Sequence, residues 1–284
     1  MTDVVTRPER HVRPPSAESA GEAPGRGRLA GRKLLVVGGG QQVVDAETDP
    51  IGNGRAMSLL FAREGAAVAI ADKDLGAAQE TIARIGDESP EATAFGIEAD
   101  ISSEADVAAM VSEAHERLGG LDGLVCNVGI GLGGLGLANT DVTSWDKTLR
   151  VNLRGPMLCC RQALEVLDDD SSIVFISSVA GLTAGSRLPA YDASKAALSG
   201  LMRHVAMEGA RRGIRANTIC PGLIDTPLGR RANQGRPSRA GTRIPFGRMG
   251  TGWEVAYTAL FLTSDESVYL TGQVIAVDGG MTGF

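Results

Sequence analysis

The sequence has little of the side chains that build metal centres or disulfide frameworks. It contains four cysteines and three histidines in 284 residues. Cys126, Cys159, Cys160 and Cys220 lie inside apolar stretches and lack the spacing of metal ligands, so buried free thiols are predicted. No metal site is expected, and free thiols favour a cytoplasmic location.

Long apolar runs and an excess of basic residues are also missing. The net charge is −6, and no run approaches the roughly 18 apolar residues of a membrane span. Neither nucleic-acid binding nor membrane insertion is therefore expected. Residues 1–31 are rich in Pro, Gly, Arg and Glu without periodicity, which predicts a disordered tail. One α/β domain is expected over residues 32–284.

A hydroxyl, a phenol and an ammonium lie close together in the second half of the chain. Residues 172–177 predict a short buried strand, and Ser178 follows at its carboxyl end, where open α/β sheets bind ligands. Tyr191 and Lys195 are one helical turn apart and share a face. A fixed cation favours the phenolate, so we expect the pKa of Tyr191 to fall below its free value of about 10. Alone, the pair is also typical of an exposed tyrosine above a solvated lysine.

Glycines follow the first predicted strand. The apolar run of residues 34–37 ends in three glycines that begin at Gly38. Absent side chains at such a turn let the backbone approach a diphosphate. Gly52 and Gly54 come later and open an amphipathic helix that ends at Gly65. This arrangement predicts a dinucleotide-binding unit.

Together these stretches resemble the short-chain dehydrogenase/reductase family, whose signature is a serine followed by Tyr-x-x-x-Lys at this spacing. The resemblance extends over residues 32–281. It implies an α/β fold with a doubly wound, Rossmann-type parallel sheet of about seven strands and helices on both faces. The catalytic residues that it implies are Asn152, Ser178, Tyr191 and Lys195.

The resemblance also implies a nicotinamide cofactor. Asp72, at the end of a predicted strand, can accept both ribose hydroxyls of NAD and would repel the additional phosphate of NADP. Asp72 is equally suited to capping the next helix, and Lys73 weakens the preference, but we expect NAD rather than NADP. The other implied cofactor-binding residues are Gly38, Gly52, Gly54, Asp100, Ile101, Asn127, Gly129, Tyr191, Lys195, Pro221, Gly222 and Thr226.

Residues 41–50 depart from the family pattern, in which the three glycines are only a few residues apart. In one interpretation they bulge into solvent and Gly38, Gly52 and Gly54 keep their places, because surface loops tolerate insertions. In the other the cofactor site is lost or remodelled, since acidic side chains of the insertion would repel a diphosphate. Cys126 also replaces an asparagine of the family pattern beside Asn127.

Residues 227–247 correspond to the substrate lid of the family. Clustered arginines there would bind a carboxylate, a phosphate or a coenzyme A-linked substrate, but they are equally typical of a solvated basic loop. These arginines are Arg230, Arg231, Arg236, Arg239 and Arg243.

The resemblance implies an NAD-dependent oxidoreductase that interconverts a secondary alcohol and its ketone. The expected partner is this small molecule, anionic if the lid arginines bind it, and the expected assembly is a homodimer or homotetramer. An NADPH-dependent carbonyl reductase is one alternative, against which Asp72 argues. A non-catalytic nucleotide-binding or scaffold protein is another, favoured by the altered glycine loop and disfavoured by the intact catalytic residues.

Overall fold

A parallel sheet of seven strands forms the centre of the structure, a computed structural model that describes Val12 and residues 14–41, 49–233 and 244–283. The strands in the described part of the chain are β1 (Lys33–Val37), β2 (Ala67–Asp72), β3 (Ala94–Glu98), β4 (Gly123–Cys126), β5 (Ser172–Ile176), β6 (Arg215–Pro221), β7 (Ile224–Asp225), β8 (Gly250–Thr251) and β9 (Val274–Val277). The sheet has the order β3-β2-β1-β4-β5-β6-β9, and β7 pairs separately with β8.

Helices cover both faces of this sheet. The α-helices of the described residues are α1 (Ala17–Ala20), α2 (Asn53–Arg63), α3 (Leu75–Glu88), α4 (Glu104–Leu118), α5 (Val142–Leu149), α6 (Gly155–Val166), α7 (Pro189–Gly209), α8 (Pro227–Asn233) and α9 (Gly252–Thr263). A π-helical turn, Arg150–Arg154, joins α5 to α6. The predicted doubly wound fold is confirmed.

Strand β1 shows why the sheet is buried on both faces. Side chains alternate along a strand, so Leu34 and Val36 enter one core while Leu35 and Val37 enter the other. All four are at most 1% exposed. Helices α2, α3 and α9 contribute to the first core, and α4, α6 and α7 to the second. A parallel sheet covered in this way leaves its strand ends as the place for a site.

The order of the strands reverses between β1 and β4. Strand β1 pairs with β2 on one side and with β4 on the other. The connections that leave the carboxyl ends of β1 and β4 therefore run in opposite directions. A crevice opens between them, and ligands of doubly wound sheets bind at this point.

The N-terminal strap, which we define as residues 14–31, corrects one prediction. The sequence predicted a disordered tail over residues 1–31, but the strap packs on the ends of α2 and α9. Leu29 is fully buried, and the Arg28 guanidinium donates to the buried Glu64 carboxylate at 2.6 Å. Buried side chains such as Leu29 and hydrogen bonds to α2 and α9 hold the strap, and composition does not detect such isolated contacts. Residues 1–11 and 13 lie outside the described residues.

We expect Glu64→Gln to lower the free energy of unfolding by about 2–4 kcal/mol, because it leaves the Arg28 cation partly buried without its anion. Burial alone would raise the pKa of Glu64, but hydrogen bonds from Arg28 and Arg26 outweigh it and hold this pKa below 4.5. The contribution of this ion pair to the free energy of unfolding is thus present above pH 4.5 and is lost as the pH falls through the lowered pKa of Glu64. Urea denaturation measures it. Glu113→Gln, in an exposed ion pair with Arg117, is the control and should change little; equal stability of both variants would contradict the prediction.

Candidate active site

Tyr191, Lys195 and Ser178 meet at the carboxyl end of β5. Tyr191 and Lys195 lie on the first turns of α7, which begins at Pro189. Ser178 follows β5 and caps a short 3-10 turn by accepting a hydrogen bond from the Ala180 N–H at 3.1 Å. The Lys195 ammonium lies 5.7 Å from the centre of the Tyr191 ring. The structure therefore brings the three side chains together.

Lys195 is buried, and a main-chain carbonyl holds its ammonium. The residue is 3% exposed, and its Nζ donates to the Ile176 carbonyl at 2.9 Å. Burial lowers the pKa of Lys195 to about 8. The ammonium thus keeps its charge at neutral pH and loses it under mildly alkaline conditions.

The pKa of Tyr191 moves opposite to the expectation. Burial of the phenol raises this pKa, and a hydrogen bond with Ser178 offsets the rise only in part. The Lys195 cation, which favours the phenolate, is visible in the sequence, but the burial of the phenol is not. Desolvation disfavours the phenolate and dominates here. Tyr191 is therefore a neutral phenol at neutral pH in this structure.

Asn152 occupies the π-helical turn and anchors the loop after β4. Its Oδ1 accepts from the Ile130 N–H at 2.8 Å, and its Nδ2 donates to the Ile130 carbonyl at 2.7 Å and to Ser194 Oγ at 3.0 Å. A Cβ added at Gly129 would lie 2.9 Å from Lys195 Nζ and 3.9 Å from Asn152 Oδ1. Asn152 and Lys195 thus flank one glycine. π-Helical turns are frequent at functional sites.

Gly38 and Gly54 touch each other across the inserted loop. A Cβ on Gly54 would lie 1.9 Å from the Gly38 carbonyl oxygen, and Asn127 Nδ2 donates to the same oxygen at 2.7 Å. Gly52 is the N-cap of α2, and its N–H donates to Gln41 Oε1 at 2.7 Å. The side chain of Gln41 therefore ties together the two ends of the insertion. Residues 42–48 lie outside the described residues, including two of its acids, Asp45 and Glu47.

Asp72 ends β2 beside this glycine loop. Its Oδ2 accepts from the Gly40 N–H at 3.0 Å. Asp74, not Asp72, caps α3, so the helix-cap interpretation of Asp72 does not hold. Lys73 donates to Asp100 Oδ2 at 2.6 Å, and hydrogen bonding from Lys73 and Ser102 lowers the pKa of Asp100 to about 2.

The remaining predicted positions divide between the crevice and its supports. Ile101 is 5% exposed and belongs to the core, so its side chain supports the site from below. Pro221 ends β6, and the Gly222 N–H donates to the Val277 carbonyl at 2.9 Å. Thr226 Oγ1 accepts from the Gly229 N–H at 3.0 Å at the start of α8. This bond gives Thr226 a structural role beside the expected one.

The lid is only partly described. Arg230 forms a two-point ion pair with Asp225, with nitrogen–oxygen distances of 2.7 and 3.0 Å. Arg231 lies on α8. Arg236, Arg239 and Arg243 lie outside the described residues.

Two serines that the sequence did not single out support the candidate site. Ser177 Oγ donates to the Lys195 carbonyl at 2.7 Å, and Ser194 Oγ joins the Tyr191 carbonyl to Asn152. Serines next to a serine or a lysine carry no signal of their own. Their contacts with residues 18 and 42 positions away become visible only after folding.

Comparisons with known proteins identify the family. A family model described as "Enoyl-(Acyl carrier protein) reductase" matches residues 49–282, most of the chain. The chain is 34% identical over 264 residues to 2-(S)-hydroxypropyl-CoM dehydrogenase 3 of Xanthobacter autotrophicus, covering 90% of this chain and 98% of that protein. This chain belongs to the short-chain dehydrogenase/reductase family. It is therefore an oxidoreductase of the class that acts on CH–OH groups.

One further relative and one solved structure are similar to this short-chain dehydrogenase/reductase over most of its length. The inactive 2-(S)-hydroxypropyl-CoM dehydrogenase 2 of X. autotrophicus is 38% identical over 235 residues, covering 80% of this chain and 99% of that protein. The crystal structure of a short-chain dehydrogenase/reductase of the glucose/ribitol dehydrogenase type from Brucella melitensis superposes with a TM-score of 0.78 at 31% identity, covering 89% of this chain and 98% of the other.

The crevice fits the nicotinamide cofactor that the family binds. Gly54 lies so close to Gly38 that a side chain on Gly54 would not fit, and glycines at such a turn let the backbone approach a diphosphate. Asp72 lies beside the same loop and accepts a hydrogen bond from the Gly40 N–H. All four cysteines are buried free thiols, as predicted. Within the described ranges, no three His, Cys, Asp or Glu side chains form a metal-binding group, and no helix is long and apolar enough to cross a membrane.

We expect Gly54→Ala to weaken binding of the nicotinamide cofactor by about tenfold or more, because the new methyl group would overlap the Gly38 carbonyl and push the loop apart. Gly86→Ala is the control, since a Cβ at Gly86 meets nothing within 4 Å. Calorimetric titration of both variants measures the effect. Unchanged affinity of Gly54→Ala would show that this contact does not shape the site.

Proposed function

We propose that the protein is an NAD-dependent oxidoreductase that interconverts a secondary alcohol and its ketone, with Tyr191 as general acid and base. The observation that carries the proposal is the buried Lys195 ammonium, fixed by a main-chain carbonyl beside the Tyr191 phenol and next to Ser178. A hydroxyl and a phenol with an adjacent buried cation are suited to moving one proton and stabilising a developing alkoxide.

In the oxidation direction, Tyr191 takes the proton of the substrate hydroxyl. Ser178 donates a hydrogen bond to the substrate oxygen and stabilises its developing negative charge. In its charged form Lys195 stabilises negative charge on the Tyr191 oxygen, and Asn152, on the other side of Gly129, would complete a proton relay through water to Lys195. A bound nicotinamide supplies the hydride acceptor or donor.

Tyr191 and Lys195 set the direction in which pH acts. Burial lowers the pKa of the Lys195 ammonium to about 8, so the pair loses its first proton from Lys195. Oxidation needs the deprotonated pair and should accelerate as the pH rises through about 8. Reduction needs the protonated pair and should slow over the same range.

Asp72 supports NAD as the cofactor. Its carboxylate is held by the Gly40 N–H and by the Asp74 N–H at 3.1 Å, so it is fixed in place without capping a helix. The nearest cation in sequence, Lys73, is paired with Asp100, which removes the main objection to this choice. A 2′-phosphate would face the Asp72 charge with no compensating cation from Lys73.

A non-catalytic protein of the same fold is the second candidate. It is favoured by one observation, the similarity to a relative named inactive. The assembled set of Ser178, Tyr191, Lys195 and Asn152 supports the catalytic proposal against it. A turnover assay with secondary alcohols separates the two.

The proposal also concerns the location of the protein in the cell, its oligomeric state and the charge of its substrate. Four buried free thiols support a cytoplasmic location. Exposed apolar side chains, such as Met157 on α6 and Val268 near the C-terminus, support a homodimer or homotetramer. An anionic substrate would depend on the lid arginines other than Arg230, because Asp225 already pairs with Arg230.

Tyr191→Phe tests the catalytic assignment. We expect kcat to fall by about 10³-fold, the usual contribution of a positioned acid or base, and the inflection near pH 8 to disappear from the rate profile. Tyr269→Phe is the matched control, because Tyr269 is fully exposed far along the chain. Rates with a panel of secondary alcohols between pH 6 and 10 measure both effects. Near-normal turnover of Tyr191→Phe would refute the assignment.

Asp72→Ala tests the cofactor assignment. Wild-type protein should bind NAD more than about tenfold tighter than NADP, from the repulsion between Asp72 and the additional phosphate. The variant should lose most of this preference. Asp87→Asn, an exposed acid at the far end of α3, should keep it. Calorimetry with both nucleotides gives the ratio, and an equal ratio in wild type and Asp72→Ala would overturn the role of Asp72.

A further inference from the structure

Glu254, on the first turn of α9, accepts more hydrogen bonds than a helix cap requires. Its Oε2 accepts from the Thr251 N–H at 2.9 Å, which completes a capping box. The same carboxylate accepts from both terminal nitrogens of Arg248, at 2.6 and 2.9 Å, and from Ser19 Oγ at 2.9 Å. A capping box uses only the first of these. The other bonds join α9 to two separate segments of the chain.

One of these segments is the N-terminal strap. Ser19 is 8% exposed and, besides its bond to Glu254, accepts at its carbonyl from Thr251 Oγ1 at 2.7 Å. The strap also lies directly on Trp253, since a Cβ at Gly21 would come within 2.1 Å of the indole. Ser19 and Gly21 thus fasten the strap to the first turn of α9.

The same first turn of α9 contacts the glycine loop. A Cβ at Gly252 would lie 2.8 Å from the Ile51 carbonyl oxygen and 3.3 Å from the Gly52 carbonyl carbon. Helices α2 and α9 also pack along their length. Any shift of the start of α9 therefore moves the N-terminus of α2, where the diphosphate would bind.

The start of α9 also supports the strand that leads to Thr226. Strand β8 ends at Thr251 and pairs with β7, where Asp225 lies opposite Thr251. Thr226 follows β7 directly and is the residue expected to bond the nicotinamide carboxamide. Thr251 thus connects to both ends of the proposed cofactor site, the diphosphate end through Gly252 and the nicotinamide end through β7.

We infer that Glu254 is a positioning residue that couples the N-terminal strap to the nicotinamide cofactor site. Among the described residues, the side-chain hydrogen bonds of Glu254 go to Ser19, Arg248 and Thr251 and not to the crevice. Glu254 fixes the first turn of α9 by joining Ser19, Thr251 and Arg248. The first turn of α9 then holds the glycine loop and β7 in place. The inference rests on the proposed function, because it concerns the affinity of the same NAD site.

Glu254→Gln and Ser19→Ala test this coupling, with Glu18→Gln as the matched control. Glu18 lies in the same strap and in an exposed ion pair with Arg26, and within the described part of the chain its side chain forms no hydrogen bond or ion pair with α9. Three quantities are measured on the full chain: the NAD dissociation constant, kcat at saturating NAD, and hydrogen exchange of residues 49–56 and 223–226 without nucleotide. Ser19→Ala leaves the cap of α9 intact and keeps the test decisive if Glu254→Gln fails to fold.

We expect Glu254→Gln to raise the dissociation constant about tenfold and Ser19→Ala about threefold, in line with the loss of charge-assisted hydrogen bonds. Both should speed exchange in the two segments, leave kcat within about twofold, and differ from Glu18→Gln, which should match wild type. Unchanged exchange and affinity in Ser19→Ala would overturn the coupling. A wild type that binds no NAD would instead refute the proposed function, and the exchange comparison would still decide the coupling.

Discussion

The hydrogen bond between the Lys195 ammonium and the Ile176 carbonyl is the constraint on which the site depends. A buried ammonium needs acceptors, since desolvation of an unpaired charge is strongly unfavourable. Lys195 therefore fixes the distance between α7 and the end of β5. Gly129 must lack a side chain to leave room for Lys195 Nζ, and Asn152 holds the loop beyond Gly129 by both hydrogen bonds to Ile130. The same contacts therefore position the side chains of the candidate site and pack the segments around them.

The pKa directions of Tyr191 and Lys195 follow from the same burial. Removing water disfavours the charged form of each group, so it raises the pKa of the phenol and lowers that of the ammonium. The pKa values of free tyrosine and lysine are both about 10, so burial moves the two values apart and makes the ammonium the more acidic group.

The glycine loop keeps its glycines together across residues 41–50. Gly38 and Gly54 remain in contact although 15 residues separate them in the chain, and Gln41 bonds to Pro50 and Gly52 across the gap at 3.2 and 2.7 Å. These contacts agree with the interpretation in which the glycines keep their places. The start of α9 supports the same loop from the other side through Gly252. The N-terminal strap then adds a layer outside α9 that the family resemblance did not include.

The sequence by itself determined the parallel fold and the closeness of Tyr191 to Lys195, because both follow from local patterns. Apolar runs with β-branched residues specify strands. Tyr191 and Lys195 are four residues apart, so they share one face of a helix that contains both. Tertiary structure alone decided the ordered strap, the assignment of the α3 cap to Asp74 rather than Asp72, the supporting serines Ser177 and Ser194, and the raised pKa of Tyr191. Each of these depends on burial or on a contact between residues distant in sequence, and neither quantity exists until the chain has folded.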